Sequence, residues 1–473
     1  MFKTIAIKEW RTAWRNRTIV GGALCLLLLL GIAFAGTQRE ASQLRVQRAA
    51  ATALFRSQWE GMKAGNPHDA AHFGTYLFKP LPVLSGFDNG VNAVSGYSMR
   101  VEAHVQHLLA AGPVGPADNY LRFGGLTMAT VLGLFFPLFI ILFCYATYTQ
   151  ERESGTLKLL LLQGADQRRL LAGKTGFNLL VCNGLLLLGL LLYLPLLFVG
   201  TGLRAAGTDY IRAGLLVLVY GSYTSILVLL CVFFSAKLKR GTQVLLLLLA
   251  CWLFGNVLAP RVAAAAGGML YPLPSRQVLQ QKIDEAEKFG IHGDDPRSKR
   301  QERLQREWLQ RYGVKTLAAL PVNFDAIQMQ AAEDYMQRIY DAEMGKVDRL
   351  IRAQNKIADQ VAFLDPYLAL RSLSMAICGS DYRHHASFFR AAQQYRNDFI
   401  RQLNERMAYG GSKTGDYGWK TEAAFFKSMP VFRYQPPVLT AVLWEQRYAI
   451  VSLVLWLLFG VFLLRKISVD GIL

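Results

Sequence analysis

The sequence is poor in charge and in cysteine, and each shortage excludes a class of protein. Charged residues make up 18% of the 473 residues, below the roughly 25% of soluble domains, which argues against a soluble globular protein. Six cysteines occur, five of them in apolar runs, and none forms a C-x-x-C pair. The sequence therefore supports neither a disulfide framework nor a structural zinc site.

Acidic residues are also scarce. Asp and Glu number 33 against 52 Lys and Arg, which leaves a net charge of +19. In a soluble protein such a charge would suggest nucleic-acid binding, but here the basic residues flank long apolar stretches, as in membrane proteins. We therefore expect membrane lipids, and not nucleic acid, as partners.

The sequence contains no G-x-x-x-x-G-K-[ST] phosphate-binding loop. We also recognise no nucleophile motif and no metal motif of an enzyme. The chain is therefore predicted to be non-catalytic and unable to hydrolyse ATP by itself.

Six apolar stretches are long enough to cross a bilayer as helices, which takes about 20 residues each. A basic amphipathic segment, residues 1–18, precedes them, and the spans are placed at residues 19–36, 125–148, 175–199, 214–236, 242–259 and 448–464. The first stretch resembles the core of a signal peptide, but the residues that follow, TQREASQLR, offer no small-residue cleavage site. We predict an all-α membrane protein with six transmembrane helices.

Lys and Arg cluster in the short segments at the N-terminus, in residues 149–174, in the turn after the fourth span, and in the tail, residues 465–473. Six spans put all four segments on one side, which the positive-inside rule makes the cytoplasm. We expect a multi-pass protein of the bacterial inner membrane with both termini cytoplasmic. The other side then carries two large periplasmic inserts, residues 37–124 and 260–447, which we predict to be mainly helical.

Three asparagines lie within the predicted spans: Asn178, Asn183 and Asn256. Polar side chains in such positions either line a pathway or form hydrogen bonds between helices, and we expect the second role.

The loop of residues 149–174 reads TQERESGTLKLLLLQGADQRRLLAGK. We predict a helix that ends at Glu153, a turn at residues 154–156, a short helix over residues 157–162, a break at residues 164–166 and a second short helix over residues 167–171. Glu151 and Glu153 need cationic partners, which Arg152 or another subunit would supply. The plain alternative is an ordinary basic loop.

This loop resembles the first cytoplasmic loop of type-2 (exporter-like) ABC transporter permeases. The matching positions are Glu151, Glu153, Ser154, Gly155, Thr156, Leu157, Leu160, Gly173 and Lys174. In that family the loop forms a coupling helix that docks on an ATPase subunit. The resemblance implies that two permeases, identical or related, pair with a dimer of ABC ATPase subunits. ATP and Mg²⁺ would bind to the ATPases, and this chain would bind no cofactor itself.

Residues 374–399 carry a second resemblance, to a subgroup of uncharacterised ABC permeases with a large periplasmic domain. The shared positions include Asp381, His384, His385, Tyr395 and Arg396. Asp381 and the two histidines are spaced to share one helical turn, so they are either metal ligands or a helix cap with packed histidines. No complete metal motif accompanies them, and we assign no metal.

Together these features predict the permease subunit of an ABC transporter, which couples ATP hydrolysis by its partner to export or translocation of a substrate. The large inserts favour an alternative, a mechanotransmission subunit that drives a periplasmic protein without moving cargo through the spans. A membrane hydrolase is a third interpretation, but the sequence shows no catalytic set for it.

Overall fold

A computed structural model describes residues 2–15, 17–109, 125–200 and 206–467. Residues 1, 16, 110–124, 201–205 and 468–473 lie outside the described residues, and with them parts of the predicted N-terminal helix, first insert and tail. The described chain is mostly helical, and six of its helices are long and apolar enough to cross a membrane. The coarse prediction of a mostly helical, multi-pass membrane protein is therefore supported, although the described chain also contains one pair of strands.

The N-terminal part of the fold contains two helices, a short third helix and a pair of strands. These elements are α1 (Phe2–Arg15), α2 (Thr18–Glu60), α3 (Pro67–Phe73), β1 (Thr75–Phe78) and β2 (Ser98–Val101). Helix α2 runs for 43 residues. It therefore continues well beyond residue 36, where the first predicted span ends. Residues 37–60 contain no Gly or Pro and are rich in Ala, Gln, Arg and Leu, so the helix continues to Glu60.

Beyond Glu60 the first insert differs from the mainly helical prediction. Strands β1 and β2 pair antiparallel, with Thr75 opposite Val101 and Phe78 opposite Ser98. Leu77, Met99 and Val101 are buried on one face of this pair, because side chains alternate between the two faces of a strand. Short 3₁₀ turns at Val83–Gly86 and Gly90–Ala93 lie between the strands.

The central part of the chain supplies four of the six apolar helical runs, at Met128–Glu153, Gln167–Gly200, Gly207–Lys237 and Gly241–Leu270. Its helices are α4 (Met128–Thr130), α5 (Phe136–Cys144), α6 (Thr149–Glu153), α7 (Thr156–Leu162), α8 (Gln167–Gly200), α9 (Gly207–Lys237), α10 (Gly241–Trp252) and α11 (Ala259–Leu270). Residues 167–171 do not form the separate short helix that was predicted, since they are the first turns of α8.

The helix that contains the fifth predicted span also extends past the predicted end of that span. A π-helical stretch, Leu253–Leu258, joins α10 to α11 directly before Pro260. Proline lacks a backbone N–H and ordinarily interrupts a helix, and a π-turn relieves the regular hydrogen-bond ladder at that point. The helix therefore continues to Leu270 instead of stopping at residue 259.

The C-terminal part is also helical. It consists of α12 (Arg276–Phe289), α13 (Arg297–Tyr312), α14 (Phe324–Val361), α15 (Pro366–Cys378), α16 (Tyr382–Tyr409), α17 (Ala423–Ser428), α18 (Leu439–Glu445) and α19 (Arg447–Arg465). The second insert, residues 260–447, was expected to lie wholly outside the bundle, but its helix α15 does not. Its Leu370, Leu373 and Ile377 are buried in the same apolar cluster as the spans, so α15 packs against α9 and α19 inside the bundle.

The three asparagines within the spans form contacts between helices, as expected. Asn178 donates to the Thr147 hydroxyl at 2.9 Å, Asn183 donates to the Ser225 hydroxyl at 3.2 Å, and Asn256 donates to the Gly133 carbonyl at 2.9 Å. Each pairing satisfies a polar group that would otherwise face an apolar surrounding.

The two inserts meet in one apolar core at the end of the bundle opposite α1. Trp59 at the end of α2 and Met99 of β2 are buried there with Phe388 and Phe399 of α16. The Trp59 indole donates to the Phe426 carbonyl at 2.8 Å. The two inserts therefore form a single body instead of two independent domains, and we call it the external body after its predicted location.

Candidate functional site

Helices α6 and α7 form a sharp elbow at the same end of the bundle as α1. Gly155 joins them with a φ of 74°, a backbone conformation that glycine adopts readily and other residues rarely. The hydroxyls of Ser154 and Thr156 both donate to the Glu151 carbonyl, at 3.2 and 3.3 Å. The turn is therefore fixed by local hydrogen bonds.

A buried ion cluster supports the elbow from behind. The Lys174 ammonium lies 3.0 Å from the Glu151 carboxylate and 2.8 Å from that of Glu9, and it also donates to the Thr147 carbonyl at 2.9 Å. Lys8 pairs with the same Glu151 carboxylate. Lys174 is only 2% exposed, so α1, α6 and α8 are joined by a cluster whose central ammonium is held away from water.

The neighbours of Glu151 in the chain hold the elbow to the junction between α9 and α10. Glu153 accepts a hydrogen bond of 2.8 Å from the backbone N–H of Gly241, the first residue of α10. Arg152 donates to the carbonyls of Ala236, at 2.7 Å, and of Leu238 at the end of α9. Arg152 was one of the expected partners of the two glutamates; it binds these carbonyls, and Glu151 pairs in addition with Lys8 and Lys174.

On helix α7 the two leucines that match the permease loop, Leu157 and Leu160, are not the most exposed ones. Leu157 is buried in the main cluster and Leu160 is half-buried. Leu159 and Leu162 are exposed by 59% and 74%, and they lie one turn apart. Gly173 faces α1, where an added Cβ would approach Ile5 to 3.0 Å, so this glycine permits close packing of α1 on α8.

Asp381 and His384 adopt the helix-cap arrangement. The Asp381 carboxylate accepts the backbone N–H of His384 at 3.0 Å and contacts the His384 ring, and both residues are buried. Burial, with a smaller contribution from Lys79, lowers the pKa of His385 to about 4. Among the described residues, these side chains belong to no group of three metal-binding side chains.

Tyr395 and Arg396 connect elements of the external body. The Tyr395 hydroxyl donates to the Pro430 carbonyl at 2.8 Å. Arg396, 2% exposed, lies 2.8 Å from the Glu333 carboxylate of α14 and donates to the Glu102 carbonyl at 3.2 Å. Burial would raise the pKa of Glu333, but His104 and Arg396 outweigh it and lower that pKa to about 2.

Glu333 also contacts His104, which belongs to a cluster of three histidines that the sequence analysis did not identify. His68 and His72 of α3 and His104 after β2 converge, so that one ring nitrogen from each lies within 4.8 Å of the others. The Nε2 atoms of His68 and His72 are 3.2 Å apart. The H-x-x-x-H spacing of the first two was a visible signal, but His104 is brought beside them by the tertiary structure, through the pairing of β1 with β2 and the hydrogen bond from Ala103 to Ala71.

Comparison with known proteins gives one family. Residues 276–435 match a family described as a domain of unknown function, DUF3526. No curated protein and no solved structure matches the chain. The matched range covers α12 to α17 and includes Glu333 and Arg396, whereas the elbow and the three histidines lie outside it.

Proposed function

We propose that this chain is the transmembrane permease subunit of an ABC transporter. In this proposal it couples ATP hydrolysis on partner ATPase subunits to the movement of a substrate across the bacterial inner membrane. The observation that carries the proposal is the elbow, because α7 presents Leu159 and Leu162 to solvent at the basic end of the bundle. Apolar side chains one turn apart on a short helix are suited to fill a pocket on a partner protein.

A coupling helix must be joined firmly to the membrane-spanning helices, and the contacts at the base of α7 provide such a connection. Glu151 joins the base of the elbow to Lys8 and Lys174, and Arg152 and Glu153 join it to the junction of α9 and α10. A displacement of α7 is therefore passed to several spans through buried polar contacts, as rigid elements of transporters and switches require.

The proposed orientation follows the basic segments. Helix α1, the elbow and the α9–α10 turn carry most of the short-loop Lys and Arg and lie at one end, which we assign to the cytoplasm together with both termini. The body built from the two inserts is then periplasmic. Two such permeases would pair with two ATPases, which would hold the ATP and Mg²⁺.

One observation favours the mechanotransmission alternative. Helix α2 and the run from α10 to α11 continue from the apolar bundle to the external body, and α11 packs on α14. Such helices transmit motion directly to the periplasmic side. A polar passage between the spans of a dimer would favour transport, and a dry, closed interface would favour mechanotransmission.

The docking proposal is testable by site-specific photocrosslinking. A photoreactive amino acid at Leu162, in membranes of the native host, is expected to capture a polypeptide that carries a phosphate-binding loop. The same probe at Leu191, exposed on the span of α8, or at Val94, exposed on the external body, should not capture it. Capture of that polypeptide from Val94 but not from Leu162 would refute the assigned orientation.

Substitution gives a second test. The double variant Leu159→Glu and Leu162→Glu should lose co-purification of the ATPase, because charge on both side chains opposes burial in an apolar pocket. Gln163→Glu adds charge to the neighbouring exposed position and should retain it. Undiminished co-purification by the double variant would count against α7 as the docking element.

A further inference from the structure

We propose that His68, His72 and His104 bind one divalent transition-metal ion in the external body, with three imidazole nitrogens as ligands and a fourth position open. The proposal is independent of any ATPase partner. Imidazole is the ligand that Zn²⁺, Cu²⁺ and Ni²⁺ share, and we take Zn²⁺ as the reference ion.

The ring positions fit a tetrahedral ion. Two nitrogens bound to the same zinc at about 2.0–2.1 Å lie roughly 3.4 Å apart. The Nε2 atoms of His68 and His72 are 3.2 Å apart. The third nitrogen lies within 4.8 Å of both, and because His104 is exposed, rotation of its side chain can bring the nitrogen closer.

The surroundings of His104 match those of a metal ligand. Its Nδ1 lies 3.3 Å from the Glu333 carboxylate, which leaves Nε2 available to the ion. A carboxylate behind a ligating histidine fixes the ring and increases its basicity. Arg396 holds Glu333 in place at 2.8 Å, and both residues are buried.

The backbone places the three residues next to one another before any ion arrives. Asn66 caps α3 by accepting the His68 N–H at 2.8 Å, which orients the turn that carries His68 and His72. The Ala103 N–H donates to the Ala71 carbonyl at 3.0 Å and thereby places the next residue, His104, beside α3. At Gly74 an added Cβ would lie 2.1 Å from the Val101 carbonyl oxygen, so only glycine permits this approach.

His104 itself has a φ of 62°, a left-handed conformation that is uncommon outside glycine. Its backbone N–H donates to Glu333 at 2.7 Å, which holds the residue in that conformation. Strained backbone of this kind concentrates at functional sites. A simple hydrogen bond between His68 and His72 would explain the short contact of those two rings but not the third ring with its carboxylate.

The proposed fourth position is reachable from solvent. His72 and His104 are exposed, so the open position faces solvent. An ion held by three neutral histidines keeps its positive charge and is suited to bind an anionic or chelating ligand on the proposed periplasmic side.

The test uses the full chain, purified in detergent without a histidine tag, stripped with a chelator and titrated with Zn²⁺. We expect one Zn²⁺ per chain by elemental analysis and calorimetry. His68→Ala, His72→Ala and His104→Ala should each lose this stoichiometric binding, and Glu333→Gln should weaken it about 10–100-fold. His292→Ala, which removes an exposed histidine of the α12–α13 loop, should bind as the unmodified chain does.

Two further measurements keep the result decisive. Equal thermal unfolding of the metal-free variants and the unmodified chain would show that loss of binding is not loss of fold. In the second measurement, the thiols of the unmodified chain are alkylated so that cysteine cannot bind the metal, and Co²⁺ is added. The absorption spectrum should then show ligand-field bands of Co²⁺ and no charge-transfer band from thiolate. Absence of stoichiometric Zn²⁺ from the unmodified chain, or full retention by His72→Ala, would overturn the proposal.

Discussion

Lys174 is the residue on which the elbow depends most. Its ammonium has three oxygen partners, from Glu9, Glu151 and a backbone carbonyl, and almost no contact with water. Breaking a fully buried ion pair commonly costs about 3–5 kcal/mol, and here Lys8 remains as a second, half-exposed partner of both carboxylates. The cluster therefore makes the position of α1 depend on that of α6 and α8.

We expect Lys174→Met to lower the free energy of unfolding by about 3 kcal/mol or less, because Glu9 and Glu151 lose their buried partner and keep only the half-exposed Lys8. Lys158→Met, on the exposed side of α7, should change it by about 0.5 kcal/mol or less. Thermal or denaturant unfolding in detergent measures both. Addition of Glu151→Gln to Lys174→Met should recover part of the loss, and a fully stable single variant would show that the cluster is not stabilising.

At the residue scale the sequence identified Glu151 and Lys174 as matching positions, but not as partners. They lie on different helices, and the position of α8 relative to α6 is a property of packing. The exposed face of α7 was also beyond prediction, since LKLLLL has leucines on every side and only the packing of Leu157 decides which remain outside.

At the scale of elements, the positions of the long apolar helices were predictable and the ends of those helices were not. Hydropathy finds the apolar core of each helix, because membrane burial needs about 20 apolar residues. It does not report where good helix formers extend the same helix, as in α2, or where a π-turn lets it pass a proline, as before α11. Hydropathy also does not show that α15 packs among these helices, because its 13 residues are too few to be recognised as a span.

The elbow gives a prediction for its glycine. Gly155→Ala should destabilise the protein by about 1 kcal/mol, because a side chain is strained at this positive φ although its Cβ would meet no atom within 4 Å. Gly268→Ala, inside α11 with equally open surroundings, should be neutral or stabilising by up to about 1 kcal/mol. Unfolding curves of the two variants are compared directly, and equal effects would exclude backbone strain as the cause.

At the scale of the whole molecule, the external body includes residues outside the range that matches the family model. Residues 276–435 supply Phe388, Phe399 and Leu403, but the same core requires Trp59, Leu77 and Met99 from the first insert. The match therefore describes a part of one folding unit and not an independent domain.

We expect residues 276–435, expressed alone, to remain helical but to unfold without a cooperative transition and to bind a hydrophobic dye. The missing strands and Trp59 leave the apolar face of α16 uncovered. Circular dichroism with thermal melting measures this, and the external body released by proteolysis from the full chain serves as the control. A sharp transition in the isolated fragment would contradict the single-body description.

The length of α2 sets how far the protein reaches from the membrane. A helix of 43 residues measures about 65 Å at 1.5 Å per residue, and about 30 Å of that suffices for the hydrocarbon layer. Under the proposed orientation the remaining length of α2, about 35 Å, extends beyond the hydrocarbon layer. Trp59 and the histidine cluster then lie well above the lipid headgroups. A partner anchored in the same membrane would need a comparable stalk to meet this surface, whereas a soluble protein or one suspended from the outer membrane would find it within reach.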